Sequence, residues 1–143
     1  MANKLTATVD VDIAASSARV WKALTDPAEI KQWMFGTNAS STWQKGASLT
    51  YAGEWEGKHY TDKGTIIDIE PGKLLHTTYY SSMSGKEDKP ENYANVIYTL
   101  TEEDGKTRLT ITQDNIDTEE AKQHSISNWQ MVLHTLKELA EKQ

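Results

Sequence analysis

Histidine and carboxylate side chains are the groups in this sequence that can bind a metal ion or transfer a proton. The chain has four histidines, and none of them stands in an H-x-x-x-H or H-E-x-x-H pattern, which would place two imidazoles on one face of a helix. Glu120 and His124 are four residues apart in a polar segment, which supplies two ligands without a third. We therefore predict no metal site.

Nucleophiles and phosphate-binding loops also lack their usual surroundings. Cysteine is absent, which excludes a thiolate nucleophile, a thiolate metal site and a disulfide. No serine lies in a G-x-S-x-G turn, and the eight glycines stand singly instead of in a phosphate-binding cluster. The carboxylate pair Glu54 and Glu56 lies at a strand end, where water solvates it. We predict no catalytic residue and no cofactor, although a triad assembled by the fold stays open.

Hydrophobic periodicity predicts the elements that must position any site. Apolar and polar residues alternate over residues 5–13, which indicates a strand with one buried face. Ser16 or Ser17 can cap a short helix, and Pro27 can begin a second one that runs to about Trp33. Further strands are predicted over residues 48–55, 58–69, 73–81, 92–101 and 107–114. Turn dipeptides between them, such as Asp-Gly, indicate an antiparallel meander.

The end of the chain, over residues 118–142, changes from alternation to a helical period. At 100° per residue, its apolar side chains gather within about 120° of arc, as on a half-buried helix. This stripe consists of Trp129, Val132, Leu133, Leu136, Leu139 and Ala140. Asp117 with Glu120 resembles a capping box at the start of the helix. The pattern as a whole predicts one α+β domain over residues 1–143.

The segment from Ser16 to Trp33 resembles the N-terminal signature of the START-like (SRPBCC) superfamily. It reads S-S-A-R-V-W-K-A-L-T-D-P-A-E-I-K-Q-W and is similar to the branch related to the C-terminal domain of the Hsp90 ATPase activator Aha1. Residues 64–75 and 128–139 agree in the family's order, with a departure at Asn128, where the family often has glycine. The resemblance implies a helix-grip fold: a curved antiparallel sheet around a long C-terminal helix, with two short helices after the first strand.

Aromatic residues suggest a cavity between this sheet and the C-terminal helix. The chain has five tryptophans and six tyrosines but a single phenylalanine, and Trp and Tyr can wall a pocket of about a few hundred Å3. If the same residues pack solidly, they form an ordinary core. We predict that a ligand contacts Trp33, Trp43, Tyr51, Trp55, Ile67, His76, Tyr80, Tyr98, Gln113, Trp129 and Leu133.

The inward face of the strand over residues 73–81 stays open at this point. Its two possible inner sets are Leu74, His76, Thr78 and Tyr80, or Leu75, Thr77 and Tyr79. His76 and Gln113, if they point inward, are the polar groups that would orient a ligand. The alternative for each is a hydrogen-bonded structural role.

Charge and apolar content restrict the partners. The net charge of −6 is spread along the chain, so nucleic acid is not expected. No apolar run approaches the roughly 18 residues of a membrane span, and the first eight residues lack a signal-peptide core. A cytoplasmic location is expected.

Three functions follow, and the first is preferred. It is the binding of a hydrophobic or amphipathic small molecule, such as a lipid or a polycyclic aromatic. The second is interaction with an Hsp90-type chaperone, which the family name implies, although this chain has no room for the activator's extra domain. The third is an enzyme of the cyclase or hydrolase type, in which His59, His76 or Tyr80 would be the acid or base. The oligomeric state stays open.

Overall fold

The computed structural model describes residues 4–81 and 85–142, with the exception of the Trp55 side chain. The strands are β1 (Leu5–Ile13), β2 (Asn38–Ser40), β3 (Ser48–Trp55), β4 (Lys58–Glu70), β5 (Leu74–Tyr79), β6 (Ala94–Glu103) and β7 (Lys106–Ile116). The helices are α1 (Ser17–Thr25), α2 (Pro27–Trp33) and α3 (Glu119–Glu141), and a short 3-10 turn covers Pro90–Asn92.

The strands described here form one antiparallel sheet in the order β1-β7-β6-β5-β4-β3-β2. Strands β2 to β7 are therefore a meander, and β1 joins its far edge by pairing with β7. The predicted α+β architecture, with two short helices after the first strand and a long C-terminal helix, is confirmed.

Local capping explains where the helices begin. The Ser16 hydroxyl accepts the Arg19 backbone N–H at 3.2 Å, which starts α1. The α3 cap is Thr118, whose hydroxyl accepts the Ala121 N–H at 3.0 Å. The predicted capping role of Asp117 is wrong, because this carboxylate instead pairs with lysines from two other segments.

A β-bulge in β4 breaks the alternation that the sequence predicts. Ile66 pairs with Thr77 and Asp68 with His76, so Ile67 is an extra residue without a partner in this pairing. Because of this extra residue, Ile66 is fully buried while Ile67 is 42% exposed. The prediction that Ile67 faces the cavity is wrong, since one inserted residue moves a side chain to the opposite face.

The core lies between the inner face of the sheet and the three helices. Its buried helix side chains are Val20, Ala23, Leu24, Ile30, Trp33, Leu133, Leu136 and Ala140. Its buried sheet side chains include Val9, Ile13, Leu49, Ile66, Leu75, Leu100, Leu109 and Ile111. The C-terminal half of α3 is thus packed in a solid core.

Asp117 joins three segments that are distant in sequence, and this predicts an acid-sensitive contribution to stability. Hydrogen bonds from Lys4, the larger effect, and from Lys86 lower the pKa of Asp117 from 3.8 to about 2. A carboxyl whose pKa is lower in the folded state stabilises the fold above about pH 4, and this contribution is lost as the pH falls towards 2.

We expect Asp117→Asn to lower the urea midpoint at pH 7 and to have a much smaller effect at pH 2, where the carboxyl is about half protonated. The difference in urea midpoint at pH 7 should be smaller in 1 M salt, because the Asp117 side chain is 41% exposed and salt screens its ion pairs. Asp104→Asn, in the exposed turn between β6 and β7, makes the same change of charge and serves as the control. Equal midpoints for Asp117→Asn and the unchanged protein at pH 7 would contradict this role.

Candidate ligand-binding cavity

A cavity of about 270 Å3 lies between the inner face of the sheet and the middle of α3. Met34, which caps the end of α2, contributes one side of its lining. The sheet contributes Tyr51, Asp62, Thr77, Tyr79, Val96, Tyr98 and Gln113, and α3 contributes Ser125, Asn128, Trp129 and Val132.

The sequence of α3 explains why the cavity is not filled. Ser125, Asn128, Trp129 and Val132 are spaced as one face of a helix, and they line the cavity. Ser and Asn are short, whereas the buried leucines further along α3 are long enough to reach the sheet. On the sheet opposite, Thr77, Val96 and Gln113 lie side by side on β5, β6 and β7. The side chains of Thr77 and Val96 are also short. Short side chains on both sides leave space.

Aromatic rings form the apolar wall. The rings of Tyr98 and Trp129 meet edge to face, with centroids 6.0 Å apart and an interplanar angle of 84°. The Trp129 indole N–H donates to Gln113 Oε1 at 2.9 Å. This hydrogen bond fixes the indole against β7.

Three phenols and one carboxylate form the polar side of the cavity. Asp62 lies directly opposite Tyr51 in the β3–β4 pairing, and the Tyr79 hydroxyl donates to Asp62 Oδ2 at 2.9 Å. The phenols of Tyr51 and Tyr98 are close enough to influence each other's pKa. The cavity therefore combines an apolar wall with grouped polar atoms.

Burial controls the protonation of these phenols. Desolvation raises the pKa of Tyr51, Tyr79 and Tyr98 above the usual 10, and the neighbouring Asp62 carboxylate raises that of Tyr79 further. The phenols are therefore neutral at physiological pH and supply O–H donors. They can orient a bound molecule, and they are poor general bases.

The structure brings four of the predicted residues to the described cavity lining: Tyr51, Tyr98, Gln113 and Trp129. Contact of these four with a ligand stays a prediction. Two others lie in the neighbouring core: Trp33 is 2% exposed, with its indole N–H donating to the Ala23 carbonyl at 2.7 Å, and Leu133 is 2% exposed. Trp43 packs half-buried against the same core. The prediction for the Trp55 side chain falls outside the described residues.

His76 and Tyr80 do not face the cavity, so the predictions for them are wrong. Leu75 and Thr77 are buried on the inner face of β5, which sends His76 to the outer face. There, His76 Nε2 lies 2.9 Å from Asn95 Oδ1. Tyr80 stacks on Tyr93 with ring centroids 5.3 Å apart.

Sequence reasoning missed Asp62 and Tyr79, and a signal for both was present. Tyr79 belongs to the second of the two possible faces of β5. Asp62 follows from the two-residue turn at Glu56-Gly57, because counting back along both strands from this turn pairs residue 62 with residue 51. The lining residues Met34, Ser125 and Asn128 carry no such local signal, because they are not part of an apolar pattern.

A surface groove of about 270 Å3 adjoins the cavity and shares Met34 and Asp62 with it. Its other lining residues are Phe35, Thr37, Glu54, Tyr60 and Ser81. Phe35 is 59% exposed at this groove. The groove and the cavity therefore adjoin at Met34 and Asp62.

A larger hollow of about 600 Å3 lies beside the β6–β7 turn and has a different character. Its charged lining residues are exposed, it contains no aromatic side chain among the described residues, and its Asp12 carboxylate accepts two hydrogen bonds from Arg108 at 2.9 and 3.3 Å. A solvated ion pair of this kind does not enclose a ligand.

Over residues 4–81 and 85–142, no three His, Asp or Glu side chains are grouped so as to hold a metal ion. Within the same ranges, no helix has the length and apolar character needed to cross a membrane.

An antiparallel sheet around a long C-terminal helix, with a lined cavity between them, defines a START-like protein of the helix-grip type. The chain belongs to the family of Activator of Hsp90 ATPase homolog 1-like proteins, which it matches over residues 14–141. The resemblance carried by the segment from Ser16 to Trp33 is thereby confirmed.

Solved structures share this fold. The chain is similar to ChR145 from Cytophaga hutchinsonii, with 40% identity, a TM-score of 0.85, and coverage of 99% of this chain and 97% of that one. MLL2253 from Mesorhizobium loti has 22% identity, a TM-score of 0.78, and coverage of 96% and 98%. The Aha1 dimer from Colwellia psychrerythraea has 18% identity, a TM-score of 0.76, and coverage of 96% of both chains. No curated protein sequence matches the chain.

Proposed function

We propose that this protein binds a small amphipathic molecule in the cavity between α3 and the sheet. The observation that carries the proposal is the combination of an aromatic wall, formed by the rings of Tyr98 and Trp129, with a polar side, formed by Asp62 and the phenol hydroxyls. Specific pockets are usually mostly apolar with a few placed polar groups, and this lining has that composition.

Cavity size limits the ligand. Pockets for drug-sized molecules span about 300–1,000 Å3, and this cavity of about 270 Å3 lies just below that range. One or two fused rings, or a short acyl chain, fit such a volume. A longer lipid or a larger polycyclic aromatic would extend past Met34 into the adjoining groove.

Filling the cavity tests the proposal. Val132 lines the cavity, so Val132→Trp should weaken binding by at least about tenfold by occupying the ligand's volume. The matched control is Met131→Trp, at the next position of α3, where the side chain is 54% exposed. Two probes are used: 2-naphthylmethanol, whose body is a fused ring, and 1-decanol, whose body is an alkyl chain.

The readout is the indole N–H signal of Trp129, assigned through a Trp129→Phe variant. Titration with either probe should shift this signal in the unchanged protein and in Met131→Trp, and much less in Val132→Trp. The proposal fails if neither probe shifts the signal, or if both tryptophan variants bind equally well.

Contact with an Hsp90-type chaperone is the alternative that the family's name carries. This alternative does not require an open cavity, because a protein partner would contact the surface. A change in the ATPase rate of Hsp90 that persists in Val132→Trp would favour this alternative. An unchanged rate at excess protein would remove it.

A further inference from the structure

Asp62 occupies the place where the cavity and the groove meet. Its half-buried side chain lies on the inner face of β4, opposite Tyr51, and contributes to the lining of both spaces. From this position we infer that the ligand is an organic cation, with a protonated amine or ammonium group beside Asp62 and an apolar body against Trp129. The inference rests on the proposed function and names the chemical class of its ligand.

The charged residues that line the cavity and the groove favour a cationic ligand. Asp62 in the cavity and Glu54 in the groove are both carboxylates. The described residues that line the two spaces include no lysine, arginine or histidine. Lys63 follows Asp62 along β4 but pairs with Asp88. A carboxylate ligand such as a fatty acid would meet like charge at low dielectric, which disfavours it.

The geometry around Asp62 suits a hydrogen-bonding cation. An ammonium group carries three N–H donors, and a carboxylate has about four acceptor positions. The Tyr79 hydroxyl donates to Asp62 Oδ2 at 2.9 Å and helps to orient the carboxylate. A neutral hydroxyl on a ligand would gain a single, weaker hydrogen bond at the same place.

The aromatic wall adds a second attraction for positive charge. The rings of Tyr51, Tyr79, Tyr98 and Trp129 line the same cavity as the carboxylate. Their faces carry partial negative charge and attract cations within about 6 Å of the ring centre. The neutral, protonated phenols add no competing negative charge. A cation therefore gains from both the carboxylate and the rings, whereas a neutral isostere gains mainly from burial of its body.

Three probes of one shape test the inference: 2-naphthylmethylamine, which is cationic at pH 7, neutral 2-naphthylmethanol, and anionic 2-naphthoate. We expect the amine to bind about tenfold or more tightly than the alcohol, and the naphthoate to bind most weakly. Dissociation constants come from titration of the Trp129 indole signal or from calorimetry.

Asp62→Asn removes the charge while keeping an oxygen that can accept from Tyr79. In this variant the amine should lose most of its advantage, so that the amine and the alcohol bind within about twofold of each other. The matched control is Asp68→Asn, which makes the same change on the same strand but at the position paired with outward-facing His76. This control should keep the preference for the amine.

The outcomes separate the inference from the proposed function. If the alcohol binds but the amine has no advantage, the cavity binds ligands and the inference is wrong. If no probe binds, both fail. If Asp62→Asn keeps the full preference, Asp62 does not select the cation. The comparison of probes in the unchanged protein needs no variant, so it decides the preference even if Asp62→Asn folds poorly.

Discussion

Gly64→Ala should lower the free energy of unfolding by about 3 kcal/mol or more, at the upper end of the range for overpacked sites. A Cβ atom at position 64 would lie 1.7 Å from the carbonyl oxygen of Thr78 and 2.5 Å from its carbonyl carbon. Both atoms belong to the backbone, so no side-chain rotation can relieve the clash. One of the two strands would have to move.

The close approach arises from an interruption in the β4–β5 pairing. Lys63 and Tyr80 exchange backbone hydrogen bonds of 3.0 and 2.8 Å. Next to them, the Thr65 N–H donates to the Thr78 side-chain hydroxyl at 2.9 Å instead of to a backbone carbonyl. The Thr78 carbonyl thereby comes to lie against Gly64. A glycine is required because the strands are in direct contact here.

Urea denaturation of Gly64→Ala gives the change in unfolding free energy, and Thr65→Ala is the control. Thr65 is the next residue of β4 and its side chain is exposed, so this variant should lose less than about 1 kcal/mol. Gly64 lies two residues from Asp62, so the alanine variant should also bind 2-naphthylmethanol more weakly. A loss below about 1 kcal/mol for Gly64→Ala would show that the strands have room to separate.

Elements with a clear local signal could be predicted from the sequence with near-exact bounds. The predicted strand over residues 5–13 is β1, and the helix from Pro27 to Trp33 is α2. In each case the information is contained within a few residues: strict alternation in β1, and a proline at the first turn of α2. The order of β3 to β7 also followed, because short turns join neighbours in a meander.

Details that depend on pairing between strands could not be predicted from local pattern. Two adjacent leucines, Leu74 and Leu75, make both faces of β5 equally apolar, and the choice between them decides whether His76 or Tyr79 points inward. The bulge at Ile67 has no marker in its own segment, since Ile66, Ile67 and Ile69 are all apolar. These errors moved His76 and Ile67 to the wrong face.

The cavity shows a further limit of prediction from hydrophobic periodicity. The apolar stripe of α3 would look the same whether the space beside it were filled or hollow. What distinguishes the two cases is Ser125 and Asn128, two short polar residues that line the cavity in place of long apolar ones. Hydrophobic periodicity assigns such residues to the surface. The identity of the aromatic wall was predictable, and its polar side was not.

The buried ion pair between α1 and α2 predicts a second large loss of stability. Arg19 Nη1 donates to Glu29 Oε1 at 2.5 Å, and Nη2 donates to the Leu139 carbonyl of α3 at 3.2 Å. The two side chains are only 14% and 11% exposed. This network joins all three helices, and α2 in turn ends at Met34, which lines the cavity.

Glu29→Ala should therefore lower the free energy of unfolding by about 3 kcal/mol, because it leaves a buried guanidinium without its carboxylate. Among the described residues, Arg19 Nε already finds no hydrogen-bond partner, so the cation depends strongly on Glu29. Lys22→Met is the control: Lys22 Nζ is 3.7 Å from Glu29 Oε2, but its side chain is 64% exposed, and its loss should cost less than about 0.5 kcal/mol.

A double variant separates the ion pair from simple packing. Arg19→Met combined with Glu29→Leu removes both charges and keeps apolar volume, so it should recover most of the stability that Glu29→Ala loses. If the double variant is as unstable as Glu29→Ala, lost packing and not the unpaired charge explains the effect. If Glu29→Ala costs less than about 1 kcal/mol, water reaches Arg19 when the carboxylate is removed, and the junction of the three helices is looser than the hydrogen bonds indicate.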